Sequence, residues 1–182
     1  MGLASRRFDR QVGQRIHQQS LAAFTGADFR PPGALDSVHF LRATQLCTNG
    51  MREKGRAFER VVFNVVFNNR DDHPKNFAYL MQPTGQWQLA PAYDVTFCGG
   101  PGGYHQMDVM GEALEVGRSH LMQQGRKEAE LPAQAVVGIL ERVCSVASAF
   151  TATAHSECAG QISPGTLRLI QGRIDDNVRR VA

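Results

Sequence analysis

The sequence predicts a mainly α chain of α+β character, a helical bundle with one small β-hairpin beside its polar loops. Three observations carry this. Residues 57–68 are apolar on almost every face, as a helix in the middle of a core requires. A turn signal, Pro83-Thr84-Gly85-Gln86, separates two short apolar arms at 77–81 and 87–89. Helix start and stop signals recur before and after these segments. The chain of 182 residues reads as one domain over 1–182, and its 42% hydrophobic content is enough for a packed core.

Taken in order, residues 5–12 read as a short strand through Arg7-Phe8-Asp9-Arg10, and Ser20 to Phe24 as a helical turn. Pro31-Pro32-Gly33 is a break. Asp36 is placed to cap a helix running to about Cys47 and ending at Asn49-Gly50. The polar lead-in from Arg52 to Arg60 favours a helix over a strand for the apolar segment after it. The loop Asn68–Asn76 follows, and Pro74 pushes His73 out of helical geometry. The hairpin then leads into Pro91-Ala92-Tyr93-Asp94. Gly99-Gly100-Pro101-Gly102-Gly103 reads as a flexible loop, and it lacks the pattern of a phosphate-binding loop. The rest is expected to be helical, with one long helix from about Pro132 to Ala154. A final helix opens with Ser163 as cap and Pro164 in its first turn.

A net charge of +3, scattered along the chain, gives no basis for direct nucleic-acid binding. Cys47, Cys98, Cys144 and Cys158 have no paired spacing, which excludes a zinc ribbon and a redox C-x-x-C. Four free thiols fit a reducing cytoplasm. No apolar run approaches the roughly 20 residues that a membrane span needs.

The chemistry concentrates in Asn68-Asn69-Arg70-Asp71-Asp72-His73-Pro74-Lys75-Asn76 and in Tyr93-Asp94-Val95. An aspartate, an asparagine five positions on and a second aspartate beyond a hairpin match the spacing of a phosphoryl-transfer site. Such a site needs a carboxylate beside the attacking hydroxyl and oxygen ligands for Mg²⁺. Asp71 is the candidate base, and Asn76 and Asp94 are the candidate metal ligands. His73 is a loop brace, Lys75 a phosphate or substrate contact, and Asp72 a neighbour whose side chain diverges from that of Asp71. An aspartate and an asparagine at this spacing also serve as ordinary turn formers; the helix before them and the hairpin after them favour the functional reading.

Read together, Arg7-Phe8-Asp9-Arg10, Asp71-Asp72-His73-Pro74-Lys75-Asn76-Phe77 and Tyr93-Asp94-Val95 resemble the C-terminal domain of the HipA family of serine/threonine kinases, toxins of toxin–antitoxin pairs. The resemblance implies the C-lobe of a two-lobed kinase-like fold, with Asp71 as base and Asn76 and Asp94 on Mg²⁺ and ATP. It further implies transfer of the ATP γ-phosphate to a protein hydroxyl and a HipB-like DNA-binding antitoxin partner. The family's N-lobe, with its phosphate-binding lysine, is expected from outside these residues, supplied by a separately encoded polypeptide or lost by truncation. A catalytically silent module that binds antitoxin or substrate, and a small-molecule kinase, are the competing expectations.

Overall fold

The computed structural model describes residues 7–182 apart from 12, 32 and 159. It is mainly helical with a small antiparallel sheet. Helix α1 spans Leu21–Thr25, α2 Ser37–Thr48, α3 Met51–Val66, α4 Arg118–Lys127, α5 Ala133–Ser148, α6 Phe150–Cys158 and α7 Pro164–Val181. Strands β1 (Arg10–Gln11) and β2 (Gln14–Arg15) form a two-stranded ribbon. Strands β3 (Gln18–Ser20), β4 (Ala78–Met81) and β5 (Trp87–Leu89) form a sheet in the order β3-β4-β5.

Helix α3 is the axis of the molecule. Ala57, Phe58, Val61, Val62, Val65 and Val66 are all buried, and they pack against α2, α5 and α7. Helix α2 runs up to it under local control. The Asp36 carboxylate accepts from the His39 amide at 2.7 Å, and Asn49 closes the helix at φ 51°. The N-terminal half of α3 also buries a charge. The Lys54 ammonium donates to Glu130 Oε1 at 2.6 Å and to Gln45 Oε1 at 2.7 Å, which ties α2, α3 and the α4–α5 connection together. At the other end, the Asn177 amide of α7 donates to the carbonyls of Val65 (3.0 Å) and Val66 (3.3 Å). Those carbonyls have no partner within α3, so α7 caps the end from which the polar loop emerges.

Four expectations are corrected. The strand predicted over 5–12 shrinks to Arg10–Gln11, while Phe8 and Asp9 form a turn; residues 5, 6 and 12 lie outside the described residues. Asp9 draws both neighbouring guanidiniums onto its carboxylate (Arg7 at 2.6 Å, Arg10 at 2.5 Å), and this local pairing favours a turn over an extended run. The hairpin gains a third strand, with Gln18 opposite Leu80 and Ser20 opposite Ala78. Gln18-Gln19-Ser20 lacks the apolar alternation that would have announced it. The helix predicted over 132–154 breaks at Ala149, with α6 turned 51° from α5. Gln171 Oε1 of α7 accepts from the Thr151 amide (3.0 Å) and hydroxyl (2.8 Å), so the free donors at the start of α6 have a tertiary partner. The glycine run at 99–103 is largely exposed but is held by close packing at one position. Gly100, at φ +69°, has no room for a Cβ, which would come 2.2 Å from the Tyr104 carbonyl oxygen and 2.8 Å from Arg70 Cβ.

No single helix among the described residues is long and apolar enough to cross a membrane.

Gly125 in α4 sits where a Cβ would meet Val136 at 2.7 Å and Phe58 at 2.9 Å, whereas Gly138 in α5 has nothing within 4 Å. Gly125→Ala is expected to destabilise the fold by about 1–3 kcal/mol through overpacking. Gly138→Ala is expected to stabilise it by about 0.5–1 kcal/mol through helix propensity. Urea denaturation of the two variants checks both signs, and equal effects would refute the packing account.

Candidate functional site

The loop leaving α3 is polar yet largely buried, so its geometry follows from where its hydrogen bonds go. Asn68 takes the left-handed conformation (φ 54°) and turns the chain off the helix axis. The Asn68 carbonyl accepts from the Cys98 amide at 3.0 Å, and its side-chain amide donates to the Cys98 carbonyl at 3.0 Å. Asn69 donates from its side chain to Asn64 Oδ1 at 3.0 Å, and the Arg70 amide donates to the Cys98 carbonyl at 3.3 Å. Asn68 and the Arg70 amide thus fasten the loop to the segment that follows Asp94, and Asn69 ties it back to α3.

The next two side chains part company. Asp72 is only 5% exposed; its carboxylate meets His105 Nδ1 at 2.9 Å and accepts from the Gln106 amide at 2.8 Å. Asp71 faces the surface, and its Oδ1 accepts from the Gln106 side-chain amide at 2.8 Å. Gln106 therefore grips both acids, one from its main chain and one from its side chain. Its own carbonyl accepts from the Gly33 amide at 2.9 Å.

Asn76 lies on a 3₁₀ turn, Pro74–Asn76, which proline opens and the His73 carbonyl closes by accepting from the Asn76 amide at 2.9 Å. The Asn76 side-chain nitrogen donates to the Asp71 carbonyl at 2.7 Å. A carbonyl acceptor fixes which end of the amide is nitrogen, so Oδ1 points away and takes no hydrogen bond among the described residues. The Tyr93 hydroxyl donates to the Lys75 carbonyl at 2.6 Å, which docks the Tyr93-Asp94 segment against the loop. Burial raises the Tyr93 phenol to a pKa of about 12, so it remains a donor at neutral pH. Asp94 is exposed and takes a positive φ of 52°, a conformation that costs a non-glycine residue of order 1 kcal/mol. Its carboxylate accepts no hydrogen bond among the described residues.

His73 Nε2 lies 3.8 Å from Asp71 Oδ1, and its buried Nδ1 has no partner among the described residues. Lys75 is exposed, with its ammonium 4.2 Å from the centre of the Phe29 ring. Behind the loop is a recess of about 10 Å³, the room of about one water. Arg60, Asn64, Asn69, Asp72 and Asn76 line it, and Arg60 Nη1 and Asn69 Oδ1 are buried with no partner among the described residues. Burial lowers the Arg60 guanidinium to a pKa of about 10, helped by the charge of Arg56.

The structure thus brings Asp71 and Asn76 together directly and docks the Asp94 segment through Tyr93. The donor set fits Mg²⁺. Among the described residues no cluster of three His, Cys, Asp or Glu side chains could hold a metal. Mg²⁺, however, commonly uses one or two protein ligands and takes its other oxygens from phosphate and water. Asn76 Oδ1 and the Asp94 carboxylate are hard oxygens that no side-chain or backbone donor occupies among the described residues.

Sequence reasoning missed Gln106 and His105, which stand more than 30 positions beyond the acids they hold. A histidine and a glutamine just after a glycine run were the only cue.

The HipA-like C-terminal domain family matches residues 1–150. The chain belongs to that family. The family match ends at Phe150, the first residue of α6. The structure of HipA of Shewanella oneidensis MR-1, solved in a toxin–antitoxin complex with HipB and operator DNA, carries the likeness beyond that point. It superposes with a TM-score of 0.74 at 17% identity, over 96% of this chain and 47% of its own. The chain therefore spans about half the length of that HipA, and at this identity the likeness concerns the fold alone. No curated protein matches the sequence.

Removing the Asp72 carboxylate would leave His105 and the Gln106 amide without their acceptor in a buried setting. Asp72→Ala is expected to cost about 2–3 kcal/mol, and Asp72→Asn less, because Asn keeps one acceptor. A chemical-denaturation midpoint for Asp72→Ala within about 0.5 kcal/mol of the parent would contradict this role.

Proposed function

We propose that this HipA-family domain is the catalytic C-lobe of a serine/threonine protein kinase, which transfers the ATP γ-phosphate to a hydroxyl on a protein substrate. The observation that carries the reading is the placement of Asp71. One oxygen of its carboxylate is held by Gln106, the side chain faces the surface, and the free oxygen of Asn76 belongs to the same short loop. A base must be oriented by a third group and still reach an incoming hydroxyl, and Asp71 meets both conditions.

In this reading Asp71 accepts the hydroxyl proton as the substrate oxygen bonds to the γ-phosphorus. The bond from that phosphorus to the bridging oxygen breaks, and its electron pair leaves with ADP. Asn76 and Asp94 would hold Mg²⁺ on the phosphates. When bound, Mg²⁺ and ATP supply charge neutralisation and the phosphoryl group. His73 Nε2 lies beside Asp71 and braces the loop, and Lys75 is free to leave the Phe29 face for a phosphate oxygen. Because positioning supplies most of the rate in this chemistry, the proposal includes an N-lobe that completes the nucleotide site, in the same polypeptide or a separate one.

The Shewanella HipA is described in a complex with HipB, and a small DNA-binding antitoxin of that kind is the partner class proposed for this chain. A reducing cytoplasm fits the four free cysteines.

The test is transfer of labelled phosphate from ATP to a protein substrate by the chain together with its N-lobe. Asp71→Asn is expected to lower kcat by about 10²–10⁴-fold with nucleotide affinity retained. Asp94→Asn is expected to raise the Mg²⁺ concentration needed for half-maximal rate. Wild-type turnover by Asp71→Asn would end the assignment of the base.

A further inference from the structure

A second polar concentration lies apart from the Asp71 edge. Helix α7 presents Arg168, Arg173 and Arg180 to a cleft of about 650 Å³, and Arg70 forms part of the cleft's opposite wall with the segment from Phe97 to Glu115. Arg70 is 7% exposed. Its Nε donates to Asn68 Oδ1 at 3.1 Å and its Nη2 to the Leu114 carbonyl at 3.1 Å, so both of its partners are neutral. Nη1 takes none among the described residues. Arg168, Arg173 and Arg180 likewise make no ion pair or side-chain hydrogen bond among the described residues. Two carboxylates also line the cleft. Asp176 is already paired with Arg179, and Glu115 is exposed without an arginine partner.

Four guanidiniums gathered around one concavity, one of them buried against neutral partners, repel one another. Burial lowers the pKa of Arg70, and the charges of Arg173 and Arg180 lower it further. A bound anion relieves that repulsion. The forked geometry of guanidinium suits a tetrahedral oxyanion with several acceptor oxygens. A phosphate monoester carries about −1.5 to −2 charges at neutral pH and three such oxygens, more than a carboxylate or a diester offers.

The rim decides what carries the phosphate. Phe97, Leu114 and Leu169 line the cleft and are exposed. Apolar side chains on either side of a basic pocket suit the residues that flank a phosphorylated side chain. Two of the three are leucines, which give a nucleobase no ring to stack on. The site is also a concavity, where a single strand of nucleic acid is tracked by an extended groove.

We propose that this cleft is a binding site for a protein segment bearing phosphoserine or phosphothreonine. It is independent of the transfer reading, because it needs neither ATP nor the Asp71 carboxylate.

Calorimetric titration of the full chain tests it with four probes: the peptide acetyl-Leu-phosphoSer-Leu-amide, its unphosphorylated form, inorganic phosphate and a short single-stranded DNA. The phosphopeptide is expected to bind more tightly than inorganic phosphate, and the unphosphorylated peptide not to bind. Arg173→Ala and Arg180→Ala, at positions with no side-chain partner to lose, are each expected to weaken binding about tenfold. Binding should fall as pH drops through about 6, where the phosphate loses its second charge. Asp71→Asn should bind like the parent, which keeps this result separate from the fate of the kinase reading. Equal affinity for inorganic phosphate and phosphopeptide would mean an adventitious ion only and would overturn the proposal. Tighter binding of DNA, lost in the same arginine variants, would reassign the cleft to nucleic acid. Binding unaffected by either arginine variant, or no binding at all, would also overturn it.

Discussion

Burying a polar loop at the end of an apolar helix sets the terms for the rest of the molecule. Once α3 is packed on several sides, its last carbonyls and the residues after it cannot rely on water, and each unpaired group would cost about 1–3 kcal/mol. Asn177 answers for the helix end, Cys98 for Asn68 and Arg70, Asn64 for Asn69, and His105 with Gln106 for Asp72. Apart from Asn64 of α3 itself, these partners come from α7, from the segment after Asp94 and from the stretch after the glycine run. Distant parts of the chain are thereby committed to one short loop. The close packing of Gly100 on Arg70 follows from the same demand, since the 98–106 segment must come within hydrogen-bonding distance of a loop already against the core.

What the sequence revealed and what it withheld divide along one physical line. Local signals were legible. Asp36 capping α2, Asn49 ending it, Ser163 with Pro164 opening α7, and the turn between β4 and β5 each depend on residues within a few positions of one another. The apolar run of α3 was legible because Ala57, Phe58, Val61, Val62, Val65 and Val66 are buried together along it. Features set by tertiary partners were not. β3 exists because β4 offers an edge to Gln18-Gln19-Ser20, and the break at Ala149 is supported by Gln171, about twenty positions away. The glycine run suggested freedom by composition, and only the fold shows that Gly100 serves close approach in space.

The candidate site divides in the same way. Asp71, Asn76 and Asp94 are candidates because their spacing is itself the signal, and the loop geometry makes Asp71 and Asn76 neighbours through a single hydrogen bond. The groups that aim them were invisible to spacing. Gln106 orients Asp71, Tyr93 docks the stretch carrying Asp94, and Arg60 closes the recess behind. Adjacency shows only that the Asp72 side chain diverges from that of Asp71. The structural part of Asp72, a carboxylate paired with a buried histidine, depends on residues that only the fold brings near.

The double grip of Gln106 has a mechanical consequence. Main chain and side chain of one residue clasp two successive acids, so a shift of that backbone carries both acids with it and preserves their separation. Asp71 is thereby held by a residue whose own carbonyl is pinned by the Gly33 amide. Aim is a property of the frame here, and whatever leans on the frame near Gly33 steers the carboxylate without touching it.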